Sequence, residues 1–177
     1  MPSSTPDLVK PEAVLVTGVY GVGKSTVVAQ MADLLEAGGQ RYAAIDLDWL
    51  GWADTGWELP HSDDRLLLMN LASVVGNYRG AGIERFAVAG WLENGDELVR
   101  LRSTMAMPLR VVRLVLPIEE IRRRIGPGEN TGRADDVAQS TEWIASGAGM
   151  GLEDRAVAND RPVVEVARDI LVWMGWA

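Results

Sequence analysis

The chain has 177 residues, of which 47% are apolar and 24% are charged, a composition typical of one folded globular domain. Its net charge of −8 argues against a general nucleic-acid or anionic-membrane binder, because both need a basic face. The lack of cysteine and the single histidine exclude disulfide scaffolds, zinc-thiolate sites, cysteine nucleophiles and multi-histidine metal sites. Tryptophan is unusually frequent, with seven residues beside three tyrosines and one phenylalanine.

Strand and helix signals alternate along the chain. Residues 1–11 are polar and contain proline, so we expect a frayed tail before a single cytoplasmic domain over residues 12–177. Short apolar runs predict buried strands at residues 13–17, 41–45, 84–89, 109–116 and 155–158. Apolar residues at helical spacing predict helices over residues 24–37, 64–79, 94–105, 118–125 and 140–146, and from Pro162 onward. This alternation predicts a three-layer αβα fold with a five-stranded parallel sheet, whose ligands bind at the carboxyl ends of the strands.

A glycine-rich segment follows the first predicted strand and opens the first helix. Its sequence, Gly18-Val19-Tyr20-Gly21-Val22-Gly23-Lys24-Ser25, fits G-x-x-x-x-G-K-[ST]. Glycines let the backbone N–H groups close around phosphate oxygens at the positive end of the helix. Lysine at this position reaches the β- and γ-phosphates, and the serine hydroxyl can bind Mg²⁺. The pattern predicts a nucleotide site formed by this segment together with Thr26.

Two classes of P-loop protein are disfavoured because the chain lacks their motifs. No Asn-Lys-x-Asp motif is present to read a guanine base, and no aspartate closes the third strand, where motor ATPases carry one. A switch or binding protein that performs no transfer stays open as an alternative of another class.

Leu116-Pro117 is followed by Glu119, Ile121, Arg124 and Ile125. With the P-loop, this segment resembles the small-kinase branch of P-loop proteins, which includes adenylate, shikimate and gluconate kinases and chloramphenicol phosphotransferase. The resemblance implies a P-loop NTPase fold with a lid, here at about residues 126–136, and the use of ATP and Mg²⁺. It places Arg124 over the adenine and makes Arg133 the candidate for the lid arginine that meets the transferred phosphate. It also places Asp160 and Arg161 on the adenine side.

Two aspartates close the second predicted strand. Because alternate residues of a strand face the same side, Asp46 and Asp48 are expected to approach one site. One carboxylate could hold Mg²⁺ through water and the other could accept the proton of a hydroxyl group. A helix cap for Asp48 and a solvated strand end for Asp46 are the alternatives. Resemblance to shikimate kinase, which has a similar D-x-D, assigns Asp46 with Ser25 to magnesium and Asp48 to the acceptor.

The insert at about residues 48–64 contains no lysine or arginine between Asp48 and Asp64, although nucleotide kinases use arginine to hold an acceptor phosphate. We therefore expect a neutral or cationic small-molecule acceptor with a hydroxyl group, and keep a nucleoside or nucleotide kinase as an alternative. Indoles offer flat surfaces for a sugar, an aromatic ring or a cation, although the insert could instead pack on itself. The predicted acceptor contacts beyond Asp48 are Trp49, Trp52, Trp57, Trp91 and Glu93.

The complete prediction is an ATP- and Mg²⁺-dependent kinase that phosphorylates a hydroxyl group and has Lys24, Asp48, Arg124 and Arg133 as catalytic residues. Trp143, Trp173 and Trp176 are expected to pack in the C-terminal part. No nucleic-acid or membrane partner is expected, and a monomer or a homodimer are both compatible with the sequence.

Overall fold

The computed structural model describes residues 10–52, 64–125 and 132–177, with the side chains of residues 132–136 outside that description. Within these residues, five strands alternate with helices. The strands are β1 (Glu12–Thr17), β2 (Tyr42–Asp46), β3 (Arg85–Ala89), β4 (Leu109–Val115) and β5 (Arg155–Ala158). The helices are α1 (Lys24–Ala37), α2 (Leu47–Gly51), α3 (Arg65–Gly80), α4 (Gly95–Met105), α5 (Ile118–Ile125), α6 (Gly132–Ser146) and α7 (Val163–Met174).

The strands form one parallel sheet in the order β2-β3-β1-β4-β5. The strand that carries the glycine-rich loop is therefore central, with two strands on each side. All five predicted strands are confirmed to within one or two residues, as is the three-layer arrangement. Buried parallel strands are easily recognised because both of their faces are apolar.

Alternating side chains of β1 supply both halves of the core. Val14 and Val16 belong to a buried cluster with α1 and α7, whereas Ala13 and Leu15 belong to a second cluster with α3 and α4. This alternation fixes α1 and α7 on one face of the sheet and α3 and α4 on the other. The carboxyl ends of the strands are thereby held in one rigid edge.

The structure corrects the prediction at the end of β2. Asp46 is the last residue of the strand. Its carboxylate accepts a hydrogen bond from the N–H of Asp48, so Asp46 is the N-cap of α2. Asp48 consequently lies in the first turn of a helix, and strand alternation does not relate it to Asp46. A carboxylate that accepts from the backbone N–H two residues later takes up a group that a continued strand would use for pairing, and so favours the end of the strand.

The segment predicted as a lid over residues 126–136 is helical in its last part, because α6 begins at Gly132 and not near residue 140. The run from Ala134 to Ser146 contains several good helix formers and no glycine or proline, which explains the longer helix. Residues 126–131 lie outside the described part.

The last tryptophans of the chain pack as predicted. Trp176 is buried, and its indole N–H donates to Glu12 Oε1 at 2.6 Å. Trp173 packs against the core, with the guanidinium carbon of Arg110 4.8 Å from its ring centroid. Across the described residues, we found no helix both long and apolar enough to cross a membrane.

Candidate functional site

The loop between β1 and α1 has a backbone that requires glycine. Gly18, Gly21 and Gly23 have φ values of 139°, 76° and 99°, a region that other residues rarely adopt. A Cβ on Gly18 would lie 2.7 Å from the carbonyl oxygen of Leu114, and one on Gly21 would lie 2.7 Å from Ile125. The loop therefore packs closely on β4 and α5 and ends at the N-terminus of α1, where backbone N–H groups favour an anion.

Lys24 is the first residue of α1 and is only 9% exposed. Its Nζ donates to the carbonyl oxygen of Val19 at 3.4 Å, so the side chain folds back over the loop. Burial lowers the pKa of Lys24, and the carboxylates of Asp48 and Asp46 act in the opposite direction. Both aspartates are thus close enough to the ammonium group to influence its charge.

Ser25 and Asp46 meet directly at the carboxyl edge of the sheet. The Ser25 hydroxyl donates to Asp46 Oδ2 at 2.6 Å, while Asp46 Oδ1 accepts from the N–H of Asp48 at 3.0 Å. Two hydrogen bonds therefore fix the Asp46 carboxylate beside the serine that the motif assigns to a metal. Asp48 itself is exposed.

A cavity of about 770 Å³ lies along this edge and brings the motif together with α2. Its P-loop side consists of the loop, the end of α5 and the segment after β5. Its α2 side consists of Asp46, Asp48, Trp49 and Trp52. The predicted site residues that line the cavity are Tyr20, Gly21, Gly23, Lys24, Ser25, Thr26, Asp46, Asp48, Trp49, Trp52, Arg124 and Arg161. Gly18, Val19 and Val22 complete the loop behind them.

Arg124 is held in place on the P-loop side by two partners. Its Nε donates to Glu120 Oε1 at 3.0 Å, and its Nη2 donates to the carbonyl oxygen of Asn159 at 2.7 Å. Hydrogen bonds from Arg123 and Arg124 lower the pKa of Glu120 to about 2. The carboxylate thus stays ionised at neutral pH and keeps Arg124 next to the cavity.

Asn159 is a site residue that the sequence did not reveal. It follows β5, is only 4% exposed, and donates from Nδ2 to the carbonyl oxygen of Val22 at 2.7 Å. It therefore joins the loop to Arg124. A polar residue directly after a buried strand, at the carboxyl edge, is the signal that could have identified it. Its neighbour Asp160 is exposed and is not among the described residues that line the cavity.

Trp91 and Glu93 lie apart from the described lining of the cavity. Trp91 stacks on Trp143 of α6, with ring centroids 3.9 Å apart and planes 12° apart. Its buried Nε1 has no hydrogen-bond partner among the described residues. The N–H of Glu93 donates to Glu97 at 2.8 Å, at the start of α4. Trp57 and the side chain of Arg133 lie outside the described residues.

No protein-family model matches the chain, and no curated protein matches it. Several solved structures, in contrast, have a similar fold. A sugar kinase from a Janibacter species superposes with a TM-score of 0.67 and 21% identity, over 94% of this chain and 96% of that one. A gluconokinase from Sinorhizobium meliloti gives 0.62 and 21%, over 93% and 92%. A shikimate kinase from Acinetobacter baumannii, in complex with shikimate, gives 0.56 and 17%, over 94% of both chains. The chain therefore has the fold of small P-loop kinases, as the resemblance predicted.

Proposed function

We propose that this protein transfers the γ-phosphoryl group of ATP to a hydroxyl group of a small molecule, with Mg²⁺ as cofactor. One observation carries the proposal. A single cavity joins the phosphate-binding side chains Lys24 and Ser25 to two carboxylates, Asp46 and Asp48. The named activities of proteins that share the fold, sugar kinase, gluconokinase and shikimate kinase, support the same class of reaction.

The P-loop side fits a nucleoside triphosphate. Its glycines leave no room for side chains and present backbone N–H groups, which bind phosphate oxygens. Lys24 and Arg124 both line this side of the cavity and supply positive charge to it. We propose Arg133, at the start of α6, as the second lid arginine, and Arg161 as a contact on the nucleotide side.

Ser25 Oγ and the Asp46 carboxylate fit magnesium. Mg²⁺ takes oxygen ligands, usually one or two from protein side chains, and completes its shell with water and substrate phosphates. Because Asp46 is fixed by two hydrogen bonds, these oxygens are already placed on one side of the loop. When bound, Mg²⁺ and ATP supply the phosphoryl group and much of the charge that stabilises its transfer.

Asp48 is the group we assign to the acceptor. Its carboxylate accepts a hydrogen bond from the acceptor hydroxyl and takes the proton as that oxygen bonds to phosphorus, while ADP leaves. The ammonium group of Lys24 and the guanidinium group of Arg124 offset the negative charge on the transferred group. The influence of Asp48 on the pKa of Lys24 supports this closeness of base and phosphate site.

The test is acceptor-dependent release of ADP in a screen of hydroxylated metabolites and antibiotics. Asp48→Asn should lower the rate of transfer by about 10²–10⁴ and leave the affinity for ATP within about twofold. Asp96→Asn is the matched control, since Asp96 also lies exposed in the first turn of a helix but does not line the cavity.

Two results would count against the proposal. Unchanged transfer in Asp48→Asn would remove Asp48 as the base. Tight binding of Mg²⁺ and ATP with no acceptor-dependent ADP release would favour a nucleotide-binding switch.

A further inference from the structure

The α2 side of the cavity presents two exposed indoles. Trp49 and Trp52 are 69% and 75% exposed and are the most exposed large apolar side chains in the described part of the chain. They stack on each other with centroids 5.1 Å apart and planes 23° apart, and both line the cavity. Because each ring restrains the other, their outer faces form a prepared aromatic surface beside Asp48.

The charges of the cavity are divided between its two sides. Lys24, Arg124 and Arg161 lie on the P-loop side, where they face the proposed triphosphate site. On the α2 side the described charged groups are the carboxylates of Asp46 and Asp48. An anionic acceptor on that side would lose its hydration without gaining a counter-ion, which is unfavourable.

The sequence of residues 48–64 extends this pattern. It contains no lysine or arginine and five acidic residues, which are Asp48, Asp54, Glu58, Asp63 and Asp64. Whatever the position of the intervening residues, this stretch brings no lysine or arginine to the α2 side. The electrostatic balance therefore favours a ligand that brings its own positive charge.

Building on the proposed phosphotransfer, we propose that the acceptor is a small hydroxylated amine. Its ammonium group binds against the faces of Trp49 and Trp52, and its hydroxyl group faces Asp48. An indole face carries negative charge density and attracts cations, while nearby carboxylates add to that attraction. A neutral ring could stack on the indoles and bond Asp48 through its hydroxyl group, but it would lack the attraction between an ammonium charge and the carboxylates, so the amine is preferred over the neutral compound.

The first test compares acceptors that share one ring and differ in charge, namely glucosamine, glucose and glucuronate. We expect acceptor-dependent ADP release with kcat/KM in the order amine, alcohol, carboxylate, with roughly a tenfold preference for the amine over the alcohol. The preference should fall as pH rises through the pKa of the amine. A higher kcat/KM for the alcohol or the carboxylate would overturn the charge assignment while leaving the phosphotransfer intact. No ADP release with these compounds or with any acceptor of the wider screen of hydroxylated metabolites and antibiotics, in protein that binds Mg²⁺ and ATP, would overturn both proposals.

The second test concerns the indoles. Trp49→Ala and Trp52→Ala should each raise KM for the amine by roughly three- to tenfold with little change in kcat, and Trp49→Phe should retain most of the affinity. Trp173→Phe is the control, because the Trp173 ring already contacts a cationic group, the guanidinium of Arg110, but does not line the cavity. Equal KM values for the amine in the wild type and both alanine variants would overturn the assignment of the ammonium group to this surface.

Discussion

The P-loop side and the α2 side of the cavity are formed by different kinds of group. The P-loop side relies on backbone groups and buried side chains, with three positive-φ glycines, a buried lysine and the buried Asn159. Apart from Asp46 at the end of β2, the α2 side relies on exposed side chains of a five-residue helix and of Trp52, which follows it. The groups of the P-loop side are thus continuous with the buried core, whereas those of the α2 side lie mostly on the surface.

This difference separates two kinds of mutational effect. Changes on the P-loop side should alter folding and nucleotide binding together, because the same contacts serve both. Changes on the α2 side should alter transfer and acceptor binding with little effect on stability, since exposed substitutions rarely change it by more than about 0.5 kcal/mol. Four further variants, compared with the Asp48, Trp49 and Trp52 variants described above, test this division.

The largest effect is expected for Lys24→Met. Removing the ammonium group should reduce transfer by at least about 10²–10³, measured as acceptor-dependent ADP release. In the absence of nucleotide, the same change should raise the free energy of unfolding at pH 7, because a buried charge with one long hydrogen bond is replaced by an apolar side chain. Lys10→Met, at the other, exposed lysine of the chain, should change neither quantity appreciably.

The pH dependence of stability gives an independent check on this lysine. Because the pKa of Lys24 is lowered in the folded protein, the unfolded chain binds more protons between that pKa and the ordinary lysine value of 10.5. The contribution of Lys24 to the unfolding free energy therefore rises with pH across that window. Urea unfolding of the nucleotide-free protein measures this quantity, and the unfolding free energy of Lys24→Met should not show the rise. A variant that is less stable than the wild type at pH 7 would show that the buried ammonium group is stabilising.

The next largest effect is expected for Gly23→Ala. Gly23 has a φ of 99°, and an added Cβ would lie 2.7 Å from Asn159 Nδ2, so the variant combines backbone strain with a clash. We expect a loss of about 2 kcal/mol in the free energy of unfolding and a weaker affinity for ATP. Gly39→Ala is the matched control, because Gly39 has a φ of 66° and no atom within 4 Å of the added Cβ. Equal losses in the two variants would contradict a role for the contact with Asn159.

The two sides also differ in how far the sequence predicts them. The P-loop is a contiguous motif between a strand and a helix, and its backbone conformation requires particular residue types, so the sequence predicts its position between β1 and α1 correctly. The prediction that Asp46 and Asp48 share one site rests on a partly incorrect reason, the alternation of side chains along a strand. The carboxylate of Asp46 caps α2 and removes Asp48 from the strand, and local hydrogen-bonding competition of this kind is not visible in an apolar pattern.

Long-range contacts explain the remaining differences. Trp91 follows β3 and Trp143 lies in α6, so their side chains meet only in the assembled fold, and nothing near either residue in the sequence signals that stacking. Asn159 likewise acquires its role from the carbonyl group of Val22 in a distant loop. Periodicity identifies the elements and their buried faces, whereas side-chain partners between elements depend on the assembled fold.

A smaller effect is expected for Asn159→Ala. The variant removes the hydrogen bond from Nδ2 and leaves the carbonyl group of Val22 without that donor, at a cost of about 1–2 kcal/mol in the free energy of unfolding. The affinity for ATP should fall as well, since Asn159 also supports Arg124 through its backbone. Calorimetric titration with ATP and urea unfolding check both quantities. Asp160→Ala, at the exposed neighbour, is the control, and an equal loss there would shift the role to Asp160.

The smallest effect is expected for Trp91→Phe. This variant tests whether the surface that contacts the acceptor extends beyond the α2 side to Trp91. Phenylalanine loses part of the stacking on Trp143, which is destabilising, and removes the buried indole N–H that has no partner among the described residues, which is stabilising. Because the two effects oppose each other, the free energy of unfolding should change by less than about 1 kcal/mol. KM for the acceptor should stay at the wild-type value, in contrast to Trp49→Ala. If KM rises in Trp91→Phe while stability is unchanged, Trp91 contacts the acceptor as the sequence first suggested. The acceptor surface would then extend from α2 to the end of β3.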